Sequence, residues 1–547
     1  MKNKSYLIGF ILVFLITCCT SKNQSPYNIV DFGAKADGKT LNTSAIQKAI
    51  NICHQNGGGT VIIPAGQFIT GAIRLLSNVN LHLEPGARLT GSPDTADYRL
   101  EGERHGMIYA YRARNISISG EGEINGQGSL FHVNGQAHLL RDFDRKFTRQ
   151  GDLYAPLDIF PPDGPIKYDA RPGMMIVLEQ CEQVTIKDVM LKDSPMWTIR
   201  IGDCDDVLVT GISIHNNLLI PNSDGIHCTT SRNIRISDCD IRAGDDAIIV
   251  SGFATNVAST GDPFVSEDYT KREFGNKTGY AENVTVTNCI LQSRSAGLRV
   301  GYGTHSIRNC TFQNIIIYGS NRGIGVFSRD EGSIENILFS NITIETRIHS
   351  GHWWGNGEPI HVSAIAQSEG IPAGTVSNIK FSNITATSET GIVIYGTTET
   401  HCFNISLENI NLAIRKSNLE DTYGGNFDLR PTLRHEDALF SHDIPGLYAG
   451  YTDGLTIEDL AITWEDSLAS YFTNGIYCEN FSALEIDGFA GRQSHSGGTN
   501  AAISLKNGTD VTVRNFRAEK GCSRFLETNN LKGKLVLTNN ELAGPDF

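Results

Sequence analysis

The chain has 547 residues, 40% of them hydrophobic and 19% charged, with a formal net charge of −14 and a pI near 5.5. That length and apolar content bury a large core and exclude an intrinsically disordered chain. The acidic balance, with no basic stripe, excludes a nucleic-acid partner, and any polyanionic substrate would need a local cluster of arginines.

Lys2 and Lys4 precede an apolar run from Tyr6 to Ile16, followed by Cys18 and Cys19. The run is too short to span a bilayer and reads as an export signal. Cysteines directly after it resemble a bacterial lipoprotein processing site, with Cys18 or Cys19 acylated. The expectation is a signal over 1–19, a short linker over 20–26 and one domain over 27–547. Membrane contact would run only through that lipid, and the protein is expected in the periplasm, on the outer membrane, or otherwise secreted. The ten later cysteines are scattered singly with no Cys-x-x-Cys pair. That spacing argues against a metal site and predicts buried thiols stacked inside the fold rather than disulfides.

Asn42 or Thr43 is placed to cap a helix with the apolar stripe Ile46, Ala49, Ile50 and Cys53, which Gly57 to Gly59 end. Short strand patterns follow at 61–63, 68–75 and 79–83, broken by Pro64, Gly66 and Gly86. A capping helix feeding short strands fits the entry to a solenoid. From residue 115 one phrase then keeps returning: Asn or Asp, an apolar, a polar and an apolar residue, then a turn residue and more apolars. NISISGEGEI, DVLVTGISIHNN, NIRISDCDIRAG, NILFSNITIET and NIKFSNITATS are copies of it. Where no loop intervenes the copies recur about every 23 to 30 residues, the sequence signature of a solenoid. Alternation within each copy predicts strands with one face inward, and the asparagines are placed to stack coil on coil. The fold class is therefore all-β, a single right-handed parallel β-helix with an N-terminal capping helix and long loops forming a cleft. Those loops are expected at about 126–172, 253–281, 345–375 and 415–452.

The stretch Pro221–Ser251 places Asp224, Asp245 and Asp246 on successive turns. Neighbouring parallel strands lie about 4.8 Å apart, so the 22 residues from Asp224 to Asp246 put them on adjacent rungs. Carboxylates crowded this way repel, and at least one should hold a proton near neutrality. A protonated acid beside an ionised base is what glycoside hydrolysis needs; the same residues also suit a calcium site or a solvated turn.

NSDGIH at 222–227, AGDDAI at 243–248 and SPMWTIR at 194–200, in this order on a β-helix, resemble glycoside hydrolase family 28, the polygalacturonases. The resemblance implies an inverting hydrolase of pectic or related plant or algal polysaccharides, without a cofactor. It implies that Asp245 protonates the glycosidic oxygen, that Asp224 and Asp246 activate a water, and that Asn222 orients the first aspartate. His227 then lies within reach of substrate or Asp224. Two family features are replaced. Gly-His-Gly becomes Ser295-Ala296-Gly297, and the Arg-Ile-Lys that holds the substrate carboxylate becomes Gly325-Val326-Phe327.

Arg200, Arg299 and Arg322 are the candidate replacements for that clamp, since a guanidinium grips a carboxylate or sulfate through two bonds. In HWWGNGEPIHV, Trp353 and Trp354 are expected as a sugar-stacking platform and Glu358 as a hydroxyl ligand. Arg171 closes the first long loop and is a candidate cleft residue, whereas Trp197 reads as core or cleft floor. The long loops would favour removal of terminal sugars by a monomer. The rival readings are a calcium-dependent β-helix lyase and a non-catalytic carbohydrate-binding solenoid.

Overall fold

The computed structural model describes residues 26–100, 103–139, 142–156, 162–253 and 279–541. Cys18, Cys19 and most of the expected loop 253–281 lie outside the described residues.

From Tyr27 to Thr538, strands of 38 segments join into one sheet wound as a right-handed parallel β-helix. In the central coils the front strands are β1 (Ile176–Glu179), β2 (Ile199–Gly202), β3 (Ile226–Thr229), β4 (Ile248–Ser251), β5 (Ala296–Gly301), β6 (Arg322–Ser328) and β7 (Ile360–Ala364). Each pairs in parallel with the next, in register. The register stacks Ile176, Ile199, Ile226, Ile248, Leu298, Ile324 and Ile360 in one inward column, every member fully buried. Each such side chain contributes about 2–3 kcal/mol of burial, so a charge at Ile248 would break the stack from within. Phe312, Phe339 and Phe381 form a second column, with ring centroids 4.9 and 5.1 Å apart.

At the turns the asparagines make a spine. Asn341 donates to Asn314 at 3.4 Å, Asn383 to Asn341 at 3.1 Å and Asn409 to Asn383 at 2.8 Å. All four have left-handed backbone, with φ between 50 and 55°. Asparagine is the non-glycine residue that tolerates this region best, and its amide reaches the next coil from there. All ten cysteines among the described residues are buried free thiols, as the scattered spacing predicts.

The helix α1 (Thr43–Gln55) covers the N-terminal end, burying Ile46, Ala49, Ile50 and Cys53. Asn42 is its N-cap residue, but its side chain serves the preceding loop, accepting from the Lys35 N–H at 2.7 Å, rather than a helix N–H.

One expectation needs refinement at the front face. The back strands alternate buried and exposed residues as predicted, whereas β2, β3 and β4 are buried on both faces. Their outward side chains are covered by aromatics from the flanking turns: Trp197 stacks on His227 at 3.8 Å, with Phe253 at 5.7 Å. Trp197 is therefore cleft floor. The excursions 126–172, 347–359 and 415–446 all leave at the turn that leads into a front strand. They dock on one another: the Arg149 N–H donates to Asn426 at 2.7 Å, and the Trp353 and Trp354 indoles donate to Asp163 O and to Asp142 Oδ2 at 2.5 and 3.1 Å.

Candidate active site

The same turn carries the carboxylates. Asn222 has φ 55°, which bends the chain sharply before Asp224 enters β3. Glycine is required on both sides of the site by close approach. A Cβ on Gly225 would lie 2.3 Å from Ala247 O, and one on Gly244 2.3 Å from Ile220 O and 2.6 Å from Ser223 Oγ. The small residues of the two motifs thus allow consecutive turns to nest, which draws their aspartates together.

Asp224 stands two residues before Ile226 and Asp246 two before Ile248, so both hold the same place on adjacent rungs. Both are almost fully buried. Asp246 pairs with Arg299, whose Nη1 is 2.5 Å from Oδ2, and the Ala296 N–H donates to its Oδ1 at 2.8 Å. Asp245, partly exposed, accepts from the Asp246 N–H at 3.0 Å and from the Asn222 N–H at 3.3 Å. Burial, then the neighbouring Asp246 charge, pushes Asp245 up to about 7. Burial together with Asp245 and Asp246 lifts Asp224 well above the usual carboxylate range, and its Oδ1 has no hydrogen-bond partner. One guanidinium thus faces three carboxyl groups, and Asp224 and Asp245 are the two that burial and their neighbours push up.

The structure brings Asn222, His227 and Arg299 to these aspartates. His227 is fully buried, with Nδ1 3.4 Å from Asp224 Oδ2 and Nε2 2.9 Å from Ser251 Oγ. Burial, with Arg299 and Arg200 adding to it, holds its pKa well below the ordinary value, so the ring is neutral. Arg171 is a positioning residue: it donates to Pro195 O, Pro221 O and, at 3.2 Å, Asn222 Oδ1, and so fixes the turn before Asp224.

The arginines named as clamp candidates are engaged inside the protein. Arg200 pairs with buried Glu179 at 2.5 Å, Arg299 with Asp246, and Arg322 with Glu358 at 3.3 Å and Asp428 O at 3.0 Å. Glu358 is held to about 2, with Arg322 and His361 outweighing its burial. Trp353 is buried by the Asp163 contact, leaving Trp354 as the more exposed ring of the pair. The replaced clamp position is filled by carbon. A Cβ on Gly325 would meet the Phe327 ring at 2.5 Å, so the phenyl group lies across the place where a longer side chain would start.

Sequence reasoning missed Arg294, Asp163, Arg347 and His349, which meet around the turn one coil beyond Asp245. Arg294 sits on the next turn after Asp245 and approaches Asp163 at 3.5 Å; Arg347 and His349 approach the same carboxylate at 3.2 and 3.7 Å. No periodicity marks them, because they come from two separate excursions and one coil turn.

Residues 166–423 match the family model described as glycosyl hydrolases family 28, and residues 27–139 match rhamnogalacturonase A/epimerase, pectate lyase-like. An exo-poly-alpha-D-galacturonosidase of Dickeya chrysanthemi is 27% identical over 346 residues, 55% of this chain and 57% of the relative. A probable polygalacturonase of Vitis vinifera is 29% identical over 260 residues, 44% of this chain and 47% of that one. The chain thus spans about half the length of these curated relatives. A hyperthermoactive exopolygalacturonase of Thermotoga maritima shares the fold, with TM-score 0.56 and 20% identity over 80% of this chain and 92% of its own. The motif-bearing turns, the nested aspartates and the family match over residues 166–423 converge: the chain resembles a divergent member of glycoside hydrolase family 28.

Proposed function

We propose that the protein is an inverting glycoside hydrolase that removes terminal sugars from a pectic or related polysaccharide. The observation that carries this reading is the Asp224–Asp245–Asp246 cluster, in which Asp245 is pushed up to about 7 and Asp246 is an ion pair with Arg299. Asp245, the most exposed of the three, delivers its proton to the leaving oxygen. Asp246, paired with the Arg299 guanidinium, draws a proton from a water on the opposite face of the sugar, and Asp224 shares in that task. Neutral His227 lies against Asp224, Nδ1 3.4 Å from Oδ2, without adding a charge. The interlocked excursions beside the site support exo action by walling off one end of the groove. The names of the Dickeya and Thermotoga relatives point the same way. Export with a lipid on Cys18 or Cys19, facing the periplasm or the outside, and a monomeric state complete the proposal; they rest on the sequence pattern alone.

The test is product analysis with the protein lacking its first twenty residues, on galacturonate-bearing, neutral and sulfated polysaccharides. Monosaccharide with inverted anomeric configuration as the first product is expected. Internal fragments would sink the exo reading, unsaturated products the hydrolase reading. The rate should fall as pH rises past about 7, because the acid must be protonated to act.

A further inference from the structure

The outward face of the C-terminal coils carries a row of aromatic rings that ends before the solenoid does. The front strands after β7 are β8 (Ile392–Tyr395), β9 (Leu447–Asp453), β10 (Ile476–Asp487), β11 (Ile503–Arg514) and β12 (Leu526–Asn529). Their register aligns Val393, Tyr448, Tyr477, Ser504 and Glu527 in one outward row, with Tyr395, Gly450, Glu479 and Lys506 in the row beside it. Tyr395, Tyr448 and Tyr477 stack along the solenoid, each ring centroid 6.0 Å from the next, with planes 24° and 10° apart. Tyr448 is buried under the excursion 415–446, with Phe427 at 5.0 Å and His442 at 5.1 Å. Tyr477 keeps exposed surface. One face of its ring lies on Tyr448; the other is turned to Ser504, where the row has no ring.

The gap over Ser504 has the spacing of a ring. A flat group there lies one coil, about 4.8 Å, from Tyr477, within the range of about 4.5–7 Å over which rings stack. Glu527, one coil further, bounds the far side. The rim is polar. Glu479 accepts from the Tyr448 and Tyr477 hydroxyls at 3.1 and 3.2 Å and pairs with Lys506 at 3.5 Å, while Arg524 pairs with Glu527 at 3.0 Å. An ammonium has three N–H donors, so the half-exposed Lys506 has donors beyond the one aimed at Glu479. Two cations and two carboxylates cancel, and the rim offers hydrogen bonds without a net pull on an anion. A group that is flat and carbon-rich on its face, hydroxylated at its edge and uncharged meets all three conditions. A neutral pyranose is such a group.

We infer that the gap over Ser504 is a second glycan site, in which a neutral sugar unit takes the place of the next ring in the row. Its C–H face stacks on Tyr477, Lys506 donates to one hydroxyl and Glu527 accepts from another. The site lies six coils on from β4, about 29 Å along the solenoid, beyond the excursion that covers Tyr448. It therefore touches no reacting atom and holds a stretch of glycan that is not being cut. The inference stands on the interrupted row and not on the hydrolase reading.

The test is affinity electrophoresis of the full chain carrying Asp245→Asn, so that nothing is turned over, in gels containing soluble galactan, arabinan or xylan, with polygalacturonate as the acidic comparison. At least one neutral glycan should retard the protein. Its dissociation constant should rise at least tenfold in Tyr477→Ala, which removes the platform, and in Ser504→Tyr, which fills the gap with a ring. If Tyr477→Ala unfolds, Ser504→Tyr decides alone. No retardation by any neutral glycan overturns the inference, as does retardation that Ser504→Tyr leaves unchanged, which would place the binding in the catalytic cleft. Tighter binding of polygalacturonate that Ser504→Tyr abolishes overturns the neutral class of ligand. If the protein without Asp245→Asn splits no glycan while Ser504→Tyr still abolishes retardation, the hydrolase reading fails and the second site stands.

Discussion

Two buried acidic clusters occupy the same place on the solenoid and behave oppositely. Asp224, Asp246, Ala296, Arg322 and Glu358 each stand two residues before a member of the inward column, so they form one row along the front face. At one end, Asp224 and Asp246 face each other and Asp245 with Arg299 as their cation, and Asp224 and Asp245 are pushed up. Three coils on, about 14 Å away, Glu358 and Asp428 meet Arg322 and Arg430. There Glu358 is held to about 2 and Asp428 is also lowered. Backbone and burial are alike, so the difference is the count of cations. A balanced cluster ties three excursions to the barrel, and an unbalanced one keeps protons available for chemistry.

The largest effect that would sharpen this contrast is loss of turnover. Asp245→Asn should reduce sugar release by about 10²–10⁴-fold with the fold intact by circular dichroism, whereas Glu358→Gln should leave any remaining folded protein active. A similar loss in both would erase the distinction. Next comes stability: Glu358→Gln strands Arg322 and should cost about 3–5 kcal/mol in denaturant unfolding. The smallest effect concerns pH. Asp245, raised in the folded state, makes the native protein bind more protons than the unfolded chain between about pH 4 and 7, so its contribution falls as pH rises through that window. Asp245→Asn should therefore melt higher than wild type at pH 8, by roughly 2 °C, with the margin shrinking toward pH 4. Glu358, lowered to about 2, has the opposite sign: its contribution is present above about 4.5 and is lost as pH falls through about 2.

The coils and the aspartates were legible in the sequence because both are local patterns. The repeated phrase fixes strand faces, and the glycines beside Asp224 and Asp245 announce turns that nest. What escaped is what depends on excursions meeting. Trp353 and Trp354 look alike in sequence, yet Asp163, from a segment 190 residues earlier, buries one of them. Arg322 reads as a free cation until Glu358 is placed beside it, and Arg294 sits in a Ser-Arg-Ser stretch that no pattern distinguishes. The clamp candidates were reasonable by chemistry; their partners were invisible.

The asparagine spine sets how this architecture can change over generations. Each amide bonds to its counterpart one turn of the solenoid away, so whole coils can be gained or lost and the spine re-forms across the join. A single residue inserted within a strand would instead turn every following side chain to the wrong face. Length variation is thereby channelled to the turns that enter the front strands, where the long excursions already leave and where the aspartates stand. Substrate choice can be rewritten at that edge while the spine is copied unchanged.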